Sequence, residues 1–142
     1  MMFFIDANIF LEVELGDNRS EECKKFLTKV LEKKINAYTS DFLLYTSILQ
    51  IETKLKSREK MEDFIVFISN LENLEIIRPN LDTIKVATDI AKKYNMTFDD
   101  GLIVACMRAN DIKKLVSLDT DFDDVKEIER IEPSMAYEKE KD

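Results

Sequence analysis

Five aspartates stand at three places in the chain where their carboxylates could act together. Asp6 comes directly after a short apolar run, one pair of acids opens a stretch with helical periodicity, and a second pair follows another short apolar run. The members of these pairs are Asp99, Asp100, Asp119 and Asp121. Carboxylates gathered without a neutralising residue repel one another, so a folded protein that collects them normally holds a hard cation there. The pattern predicts a site for Mg²⁺ or Mn²⁺.

Each acid also has a purely structural interpretation. Asp6 beside Asn8 is compatible with a turn. Asp100 fits the acidic position of a helix capping box, and Asp121 fits the cap of a short turn. Under these interpretations, three independent acids would fall at strand ends on one side of a sheet by chance. The coincidence favours the metal site.

The types of residue that are missing narrow the chemistry further. The chain has 142 residues and no histidine, which excludes Ser-His-Asp and Cys-His catalytic units and His-ligated zinc within it. Catalysis must therefore use carboxylates, lysines, hydroxyls or metals. Cys23 and Cys106 lie far apart in helix-like surroundings and are predicted to be buried free thiols.

Short apolar runs alternate with helical stripes, and these elements must position the acids. Predicted strands cover residues 3–5, 37–39, 74–77, 115–116 and 128–131, and predicted helices cover residues 23–31, 42–55, 57–71, 81–94 and 97–107. This alternation predicts a three-layer α/β/α fold with a mainly parallel central sheet of four to five strands. Ligands of such folds bind outside the strand C-termini, where the acids fall. Residues 42–55 are apolar nearly all round, which predicts a central helix.

Composition bears on domain number and on partners. With 45% hydrophobic and 35% charged residues, the chain is predicted to form one domain over residues 1–134, followed by a charged, frayed tail over residues 135–142. The net charge is -8, and residues 119–142 alone hold ten acids and four bases. A polyanionic partner would therefore need a local basic surface.

Hydropathy indicates a protein that does not contact the membrane. The longest uncharged run, residues 42–51, contains polar side chains and is too short to cross a bilayer. The apolar opening lacks a basic region and soon meets Asp6, which is unlike a signal peptide. A reducing cytoplasm is the expected location.

Three short segments carry the acids in a definite order. They are Phe3-Phe-Ile-Asp6-Ala-Asn8-Ile-Phe10, Asp100-Gly-Leu-Ile-Val-Ala105 and Leu115-Val-Ser-Leu-Asp119-Thr-Asp121-Phe122. In this order and spacing they resemble the motifs of the PIN domain nucleases, especially the single-domain VapC-type toxins of bacteria and archaea. The resemblance covers nearly the whole chain, and it implies a PIN-like fold and a ribonuclease that is the toxin of a type II toxin-antitoxin pair.

The resemblance also implies a catalytic role for each matched acid. Asp6, Asp100 and Asp119 would bind one or two Mg²⁺ or Mn²⁺ ions, with Asp121 as a fourth catalytic carboxylate. Metal-bound water of lowered pKa would attack the phosphate and leave a 5′-phosphate and a 3′-hydroxyl. Supporting hydrogen bonds are expected from Asn8, Ser117 and Asp99. The alternative for Ser117 is that a strand-end hydroxyl only bonds the local backbone.

The chain departs from the family at one metal-site glutamate, which is expected some six residues into the helix after the second strand. Thr46 stands there, while Asp41 lies five residues earlier and Glu52 six residues later. Either acid would need a local shift to substitute, and the simpler interpretation makes Asp41 a helix cap and Glu52 an exposed residue. The departure keeps open a PIN-like binding module for RNA or protein with weak or no catalysis.

The best basic candidate for contacts with RNA lies in the segment 52–63. Its bases are Lys54, Lys56, Arg58 and Lys60. The segment also holds four acids and sums to zero charge, so a solvated helix junction is the competing interpretation. Further alternatives are Lys92, Lys93 and Arg108.

Protein partners are expected at two helices. The stretches 42–55 and 61–71 carry more large apolar side chains than one core needs. The resemblance implies a homodimer or an antitoxin contact there, and a well-filled core is the alternative. A receiver-type phosphoacceptor also combines acidic strand ends with Mg²⁺, but Asp6 is followed by Ala7 rather than by a second acid, which disfavours that function.

Overall fold

Five parallel strands form the sheet in the computed structural model, which describes residues 2–140 and the side chains of residues 2–137. The strands are β1 (Met2–Ile5), β2 (Asn36–Ser40), β3 (Leu74–Ile77), β4 (Lys114–Val116) and β5 (Glu129–Ile131). They lie in the order β3-β2-β1-β4-β5, and every neighbouring pair is parallel. The predicted parallel sheet is confirmed.

Helices connect the strands, as parallel pairing requires. They are α1 (Ala7–Leu15), α2 (Ser20–Leu31), α3 (Asp41–Leu55), α4 (Arg58–Ser69), α5 (Leu81–Tyr94), α6 (Phe98–Ala109) and α7 (Pro133–Glu140), with a 3-10 helix at Thr120–Asp124. Side chains alternate along β1, so Phe3 and Ile5 enter one hydrophobic core and Phe4 enters the other. Helices α1, α2, α4 and α7 cover the first core, while α5 and α6 cover the second. The three-layer α/β/α fold is confirmed.

Helix α1 lies where the sequence predicts no element. The Asp6 carboxylate caps it by accepting a hydrogen bond from the Ala7 N–H at 2.7 Å. Gly16 ends it in the left-handed conformation, with φ of 66°. The helix is short, and its buried residues are consecutive rather than spaced by a helical turn, which hides its periodicity. These residues are Ile9, Phe10 and Leu11.

Helix α3 is not central, contrary to the prediction from its apolar residues. Leu44 and Ile51 are buried in the first core and Leu43 in the second. Tyr45 and Leu49, on another side of the helix, are each 58% exposed. The apolar residues that nearly encircle α3 therefore include a surface that no described part of this chain covers.

The described C-terminal region extends the packed domain beyond the predicted limit at residue 134. Ala136 of α7 is fully buried in the first core, and Tyr137 packs against that core. The prediction of a frayed end falls mainly on side chains 138–140 and on residues 141–142, which lie outside the described residues. No helix within residues 2–140 is long and apolar enough to cross a membrane.

Both cysteines are buried free thiols, as predicted. Burial raises the pKa of Cys23 to about 12 and that of Cys106 to about 11. Thiols with such pKa values are poor nucleophiles at neutral pH. The chemistry of the chain therefore remains with its carboxylates, hydroxyls and lysines.

Candidate active site

Asp6 is the buried acid at the C-terminal end of the central strand. Its N–H extends the sheet by donating to the Val116 carbonyl at 3.0 Å. The residue is only 7% exposed. Its carboxylate accepts three hydrogen bonds, from Ala7 N–H at 2.7 Å, from the Ser117 hydroxyl at 2.7 Å and from the Asn8 amide at 3.2 Å. A buried carboxylate is thus held in one orientation.

The charge of Asp6 is nevertheless costly where it stands. The pKa of Asp6 is raised from 3.8 to about 6, mainly by burial and also by the nearby carboxylates of Asp100 and Asp119, although the hydrogen bonds from Ser117 and Ala7 act to lower it. A strongly perturbed acid with charged neighbours in a pocket is a physical signal of a functional site. A cation bound beside Asp6 would offset the cost of burying its negative charge.

Asp100 and Asp119 reach the same pocket from neighbouring elements. Asp100 lies in the first turn of α6, which Thr97 caps by accepting a hydrogen bond from the Asp100 N–H at 3.4 Å. Burial raises the pKa of Asp100, and the carboxylate of Asp119 raises it further. Together with Asp6 and Asn8, both acids line a pocket of about 360 Å³. The structure brings together the three acids that the resemblance implies as metal ligands.

Ser117 and Asn8 connect these acids through hydrogen bonds. The Ser117 hydroxyl donates to Asp6 and accepts from the N–H of Asp119 at 3.0 Å. Asn8 donates to the same hydroxyl oxygen at 3.3 Å, and its own carbonyl oxygen accepts from the Leu118 N–H at 3.3 Å. Both side chains therefore lie where the sequence places supporting residues.

Asp121 and Asp99 stand apart from the main pocket. Asp121 is exposed, and with Asp100, Thr97 and Asp124 it lines a neighbouring pocket of about 300 Å³. Its N–H donates to the carboxylate of Asp119 at 2.9 Å. Asp99 is exposed as well, and its charge adds to the raised pKa of Asp100. The three predicted metal ligands thus line the main pocket, Asp121 lines the adjoining one, and Asp99 lines neither.

The donor set is suitable for a hard divalent cation. In the described part of the chain, no three acidic or thiol side chains converge closely enough to form a complete ligand set. Mg²⁺ commonly keeps several waters and takes only one or two carboxylates from the protein. Asp6, Asp100 and Asp119, all oxygen donors around one pocket, therefore fit Mg²⁺ or Mn²⁺ better than they fit a soft metal.

Helix α3 contributes no acid to this pocket. Thr46 is half-buried and donates its hydroxyl to the Leu43 carbonyl at 3.0 Å. Asp41 accepts from the Phe42 N–H at 2.8 Å, in agreement with a local role at the helix start. Glu52 is exposed, and neither Asp41 nor Glu52 lines the pocket. The structure therefore supplies no substitute for the missing glutamate from these two positions.

The sequence does not single out three polar residues of the pocket. Glu12 of α1, Asp17 after that helix and Gln50 of α3 line the pocket with the acids. Glu12 lies one helical turn after Asn8, and Gln50 lies one turn after Thr46. This four-residue spacing places Glu12 on the same side of α1 as Asn8, and Gln50 on the same side of α3 as Thr46. For Glu12 the spacing is informative only if residues 7–15 form a helix, which the sequence does not predict.

The four predicted basic residues do not form one surface at the pocket. Lys54, two helical turns after Thr46, lines it, and the side chain makes no salt bridge within the described residues. Lys56, Arg58 and Lys60 are exposed and do not line it. Of the alternatives, Arg108 pairs with Glu127 through two hydrogen bonds of 2.8 Å. Lys54 is the base that the structure places beside the acids.

The three-layer fold of this chain is shared with small proteins of known structure. VapC20 from Mycobacterium tuberculosis, described as a sarcin-ricin loop cleaving toxin, has the same fold, with a TM-score of 0.75 and 18% identity over 89% of this chain and 96% of VapC20. The DNA-bound VapBC from Salmonella typhimurium aligns with a TM-score of 0.68 and 14% identity, over 94% of this chain and 98% of that one. At these identities the likeness shows the fold.

The chain belongs to the PIN domain family, whose sequence profile matches residues 3–128. Over 152 aligned positions it is 36% identical to ribonuclease VapC6 from Methanocaldococcus jannaschii. The alignment covers 90% of this chain and 95% of VapC6. The resemblance seen in the sequence motifs is therefore confirmed, and the chain is a PIN domain of the VapC type.

Proposed function

We propose that this protein is a divalent-metal-dependent endoribonuclease and the toxin of a type II toxin-antitoxin pair. The observation that carries the proposal is the buried Asp6, with its pKa raised to about 6, in one pocket with Asp100 and Asp119. The similarity to a relative named a ribonuclease supports RNA as the substrate. The absence of histidine agrees with hydrolysis that depends on metal-bound water.

The predicted site residues have distinct tasks in this proposal. Asp6, Asp100 and Asp119 would hold one or two Mg²⁺ or Mn²⁺ ions, and the chemistry that such ions supply when bound is the activation of water and the polarisation of a phosphate. Ser117 and Asn8 fix the carboxylate of Asp6 by donating hydrogen bonds to it. Asp121 and Asp99 contribute negative charge next to Asp100 rather than direct contacts within the pocket.

Cleavage of a mixed RNA substrate tests the proposal. The purified chain is expected to cut RNA in Mg²⁺ or Mn²⁺, to lose this activity in EDTA, and to lose it in the double variant Asp6→Asn, Asp100→Asn. The variant is the control for contaminating ribonucleases, which are common. Cleavage that persists in the variant, or no cleavage with any metal, would contradict the proposal.

A second candidate function follows from the missing acid on α3. Because Thr46 is bonded to Leu43 and neither Asp41 nor Glu52 lines the pocket, α3 does not supply the carboxylate that the family pattern places on this helix. A PIN-like binding module without efficient catalysis would have the same fold and the same surface. Binding of RNA by the wild type, with no cleavage in either metal, would favour this candidate.

Lys54 is the proposed phosphate contact of the site. It is the uncommitted cation of α3 at the edge of an acidic pocket, where it would meet the RNA backbone next to the bound metal. We expect Lys54→Ala to weaken RNA binding roughly fivefold, equivalent to about 1 kcal/mol, and to lower the slope of log affinity against log salt by about one.

Arg58→Ala is the matched comparison, because Arg58 is exposed and lies outside the pocket. The Arg58→Ala variant is expected to bind RNA with the affinity of the wild type. Binding measured by fluorescence anisotropy at several salt concentrations separates the two variants. Equal losses in both would mean that the whole basic segment binds RNA, and no loss in Lys54→Ala would remove the phosphate contact.

The exposed apolar residues of α3 and α4 are the proposed contact with a second copy or with an antitoxin. They are Tyr45, Leu49, Leu55, Ile65 and Val66. Apolar patches left uncovered on a small domain commonly mark protein interfaces. The molecular mass in solution tests the homodimer, which would have twice the mass of the 16.6 kDa chain. A monomer would leave the surface to the antitoxin.

A further inference from the structure

Arg130 of β5 holds the segment that carries two of the site acids, and it does so at both ends. Its side chain is only 10% exposed. One Nη group donates to the main-chain oxygen of Ser117 at 2.9 Å. The Nε and the other Nη group donate to the carboxylate of Asp123 at 2.7 and 3.3 Å. Ser117 and Asp123 bracket Asp119 and Asp121, so one guanidinium fixes both ends of the intervening segment.

Ser117 transmits this restraint to the acids of the pocket. Its hydroxyl donates to the Asp6 carboxylate at 2.7 Å and accepts from the Asp119 N–H at 3.0 Å. A displacement of the Ser117 backbone would move the hydroxyl away from both partners. Since misplacement of a reacting group by about 1 Å can cost on the order of 100-fold in rate, this restraint bears on catalysis.

We propose that Arg130 is a positioning residue of the nuclease site, which holds Ser117 so that Asp6 and Asp119 keep their mutual geometry. This inference rests on the function proposed above. Arginine suits the task because its planar fork donates to several acceptors in fixed directions. Arg130 itself does not line the substrate pocket.

The guanidinium is restrained from a further side as well. The Nη group that reaches Ser117 also donates to a carboxylate oxygen of Glu132 at 2.7 Å. The other carboxylate oxygen of Glu132 accepts from Arg19, directly before α2. An isolated surface ion pair contributes little, whereas a mostly buried arginine with three partners is confined to one rotamer. The network thus links the site to the layer formed by α2.

The test compares Arg130→Met with Arg108→Met in the full chain. Arg108 makes a two-bond ion pair with Glu127 at the end of α6 opposite to Asp100, and although it is more exposed than Arg130 it controls for the loss of an arginine ion pair as such. Arg130→Met is expected to weaken Mn²⁺ binding roughly tenfold and to lower kcat with little change in KM. In the metal-free protein, the amides of Asp119 and Asp121 are expected to exchange with solvent faster than in the wild type. Arg108→Met should change none of these quantities.

Two further variants keep the inference testable if Arg130→Met folds poorly. Asp123→Asn removes the negative charge and one of the two acceptor oxygens of this partner, and it is expected to produce the same changes at smaller size, about threefold in Mn²⁺ affinity. Arg130→Lys keeps the positive charge, so its kcat should be higher than that of Arg130→Met. A purely structural role of Arg130 would not require this recovery.

The outcomes separate this inference from the proposed function. Wild-type chain that binds no Mn²⁺ and cuts no RNA would overturn both. Wild-type activity with unchanged Mn²⁺ affinity and unchanged amide exchange in the Arg130 and Asp123 variants would overturn the positioning role alone. Equal losses in the Arg108 variant would also overturn it, because they would show a general effect of losing an ion pair.

Discussion

Asp6→Asn is expected to abolish RNA cleavage and, at the same time, to make the metal-free protein more stable at neutral pH. The first effect follows from the loss of a charged oxygen ligand, for which we expect a decrease in cleavage of at least about 100-fold. The second follows from the burial of Asp6, which is 7% exposed and lies near two other carboxylates. The ionised carboxylate of Asp6 is thus an electrostatic cost to the fold.

The sign of the stability effect comes from the raised pKa of Asp6. In the folded state the carboxyl group of Asp6 has a pKa of about 6, whereas the ordinary pKa of an aspartate is 3.8. The stabilising contribution of the protonated acid is therefore complete below about pH 4 and is lost as the pH rises through about 6. Above pH 7 the ionised group costs up to about 3 kcal/mol of unfolding free energy. The asparagine avoids this charge but satisfies the three donors around Asp6 less well, so a net gain of about 1–2 kcal/mol is expected.

Thermal unfolding in EDTA at pH 4 and pH 8 measures this effect. The difference between Asp6→Asn and the wild type should favour the variant at pH 8 and should shrink or reverse at pH 4. Asp111→Asn is the control, because the Asp111 side chain is 90% exposed and lies away from the pocket. A difference between Asp6→Asn and wild type that stays constant across this range would show that charge burial at Asp6 is not its cause.

The positions of Asp6, Asp100 and Asp119 could be predicted because they depend mainly on topology. Asp6 and Asp119 follow parallel strands and Asp100 opens a helix, so the connection rules bring all three to one edge of the sheet. Asp121, only two residues after Asp119, nevertheless lines the adjoining pocket. The structural interpretation of the sequence makes Asp121 the cap of a short turn, but the cap of the 3-10 helix at Thr120–Asp124 is Asp119, which accepts a hydrogen bond from the Asp121 N–H. Asp121 therefore lies within the turn and not before it.

The contributions of α1 and α3 could not be predicted because they depend on how each helix is turned. The sequence offers Asp6 as a turn residue or as a ligand, and in the structure Asp6 caps α1 and also lines the pocket. That helix brings Glu12 to the acids. On α3, the packing of Leu44 and Ile51 turns Gln50 toward the pocket and leaves Tyr45 exposed. An apolar pattern that covers most of a helix does not say which side is buried.

The placement of Asp100 depends on the residue that follows it. Helices α5 and α6 pack together closely where Gly101 is buried. A Cβ atom at Gly101 would lie 2.6 Å from the main-chain oxygen of Ala87 and 3.1 Å from the Cβ of Ala91. The first distance is far inside van der Waals contact, and its partner is backbone that cannot rotate away. Glycine is therefore required here by close approach, and α6 could not otherwise place Asp100 at the pocket.

Gly101→Ala is expected to lower the unfolding free energy by about 2 kcal/mol, as measured by urea denaturation, and to reduce RNA cleavage by displacing Asp100. In an ordinary helix the same substitution would add about 0.5–1 kcal/mol, so the sign of the change is itself diagnostic. Gly16→Asn is the control, because Gly16 has a positive φ that asparagine tolerates and nothing lies near its Cβ position. Adding Ala91→Gly to Gly101→Ala removes the contact with the Ala91 side chain but not the closer one with the Ala87 backbone. The double variant should therefore regain only a minor part of the lost unfolding free energy. A stabilised Gly101→Ala protein with full activity would show that α5 and α6 can separate without moving Asp100.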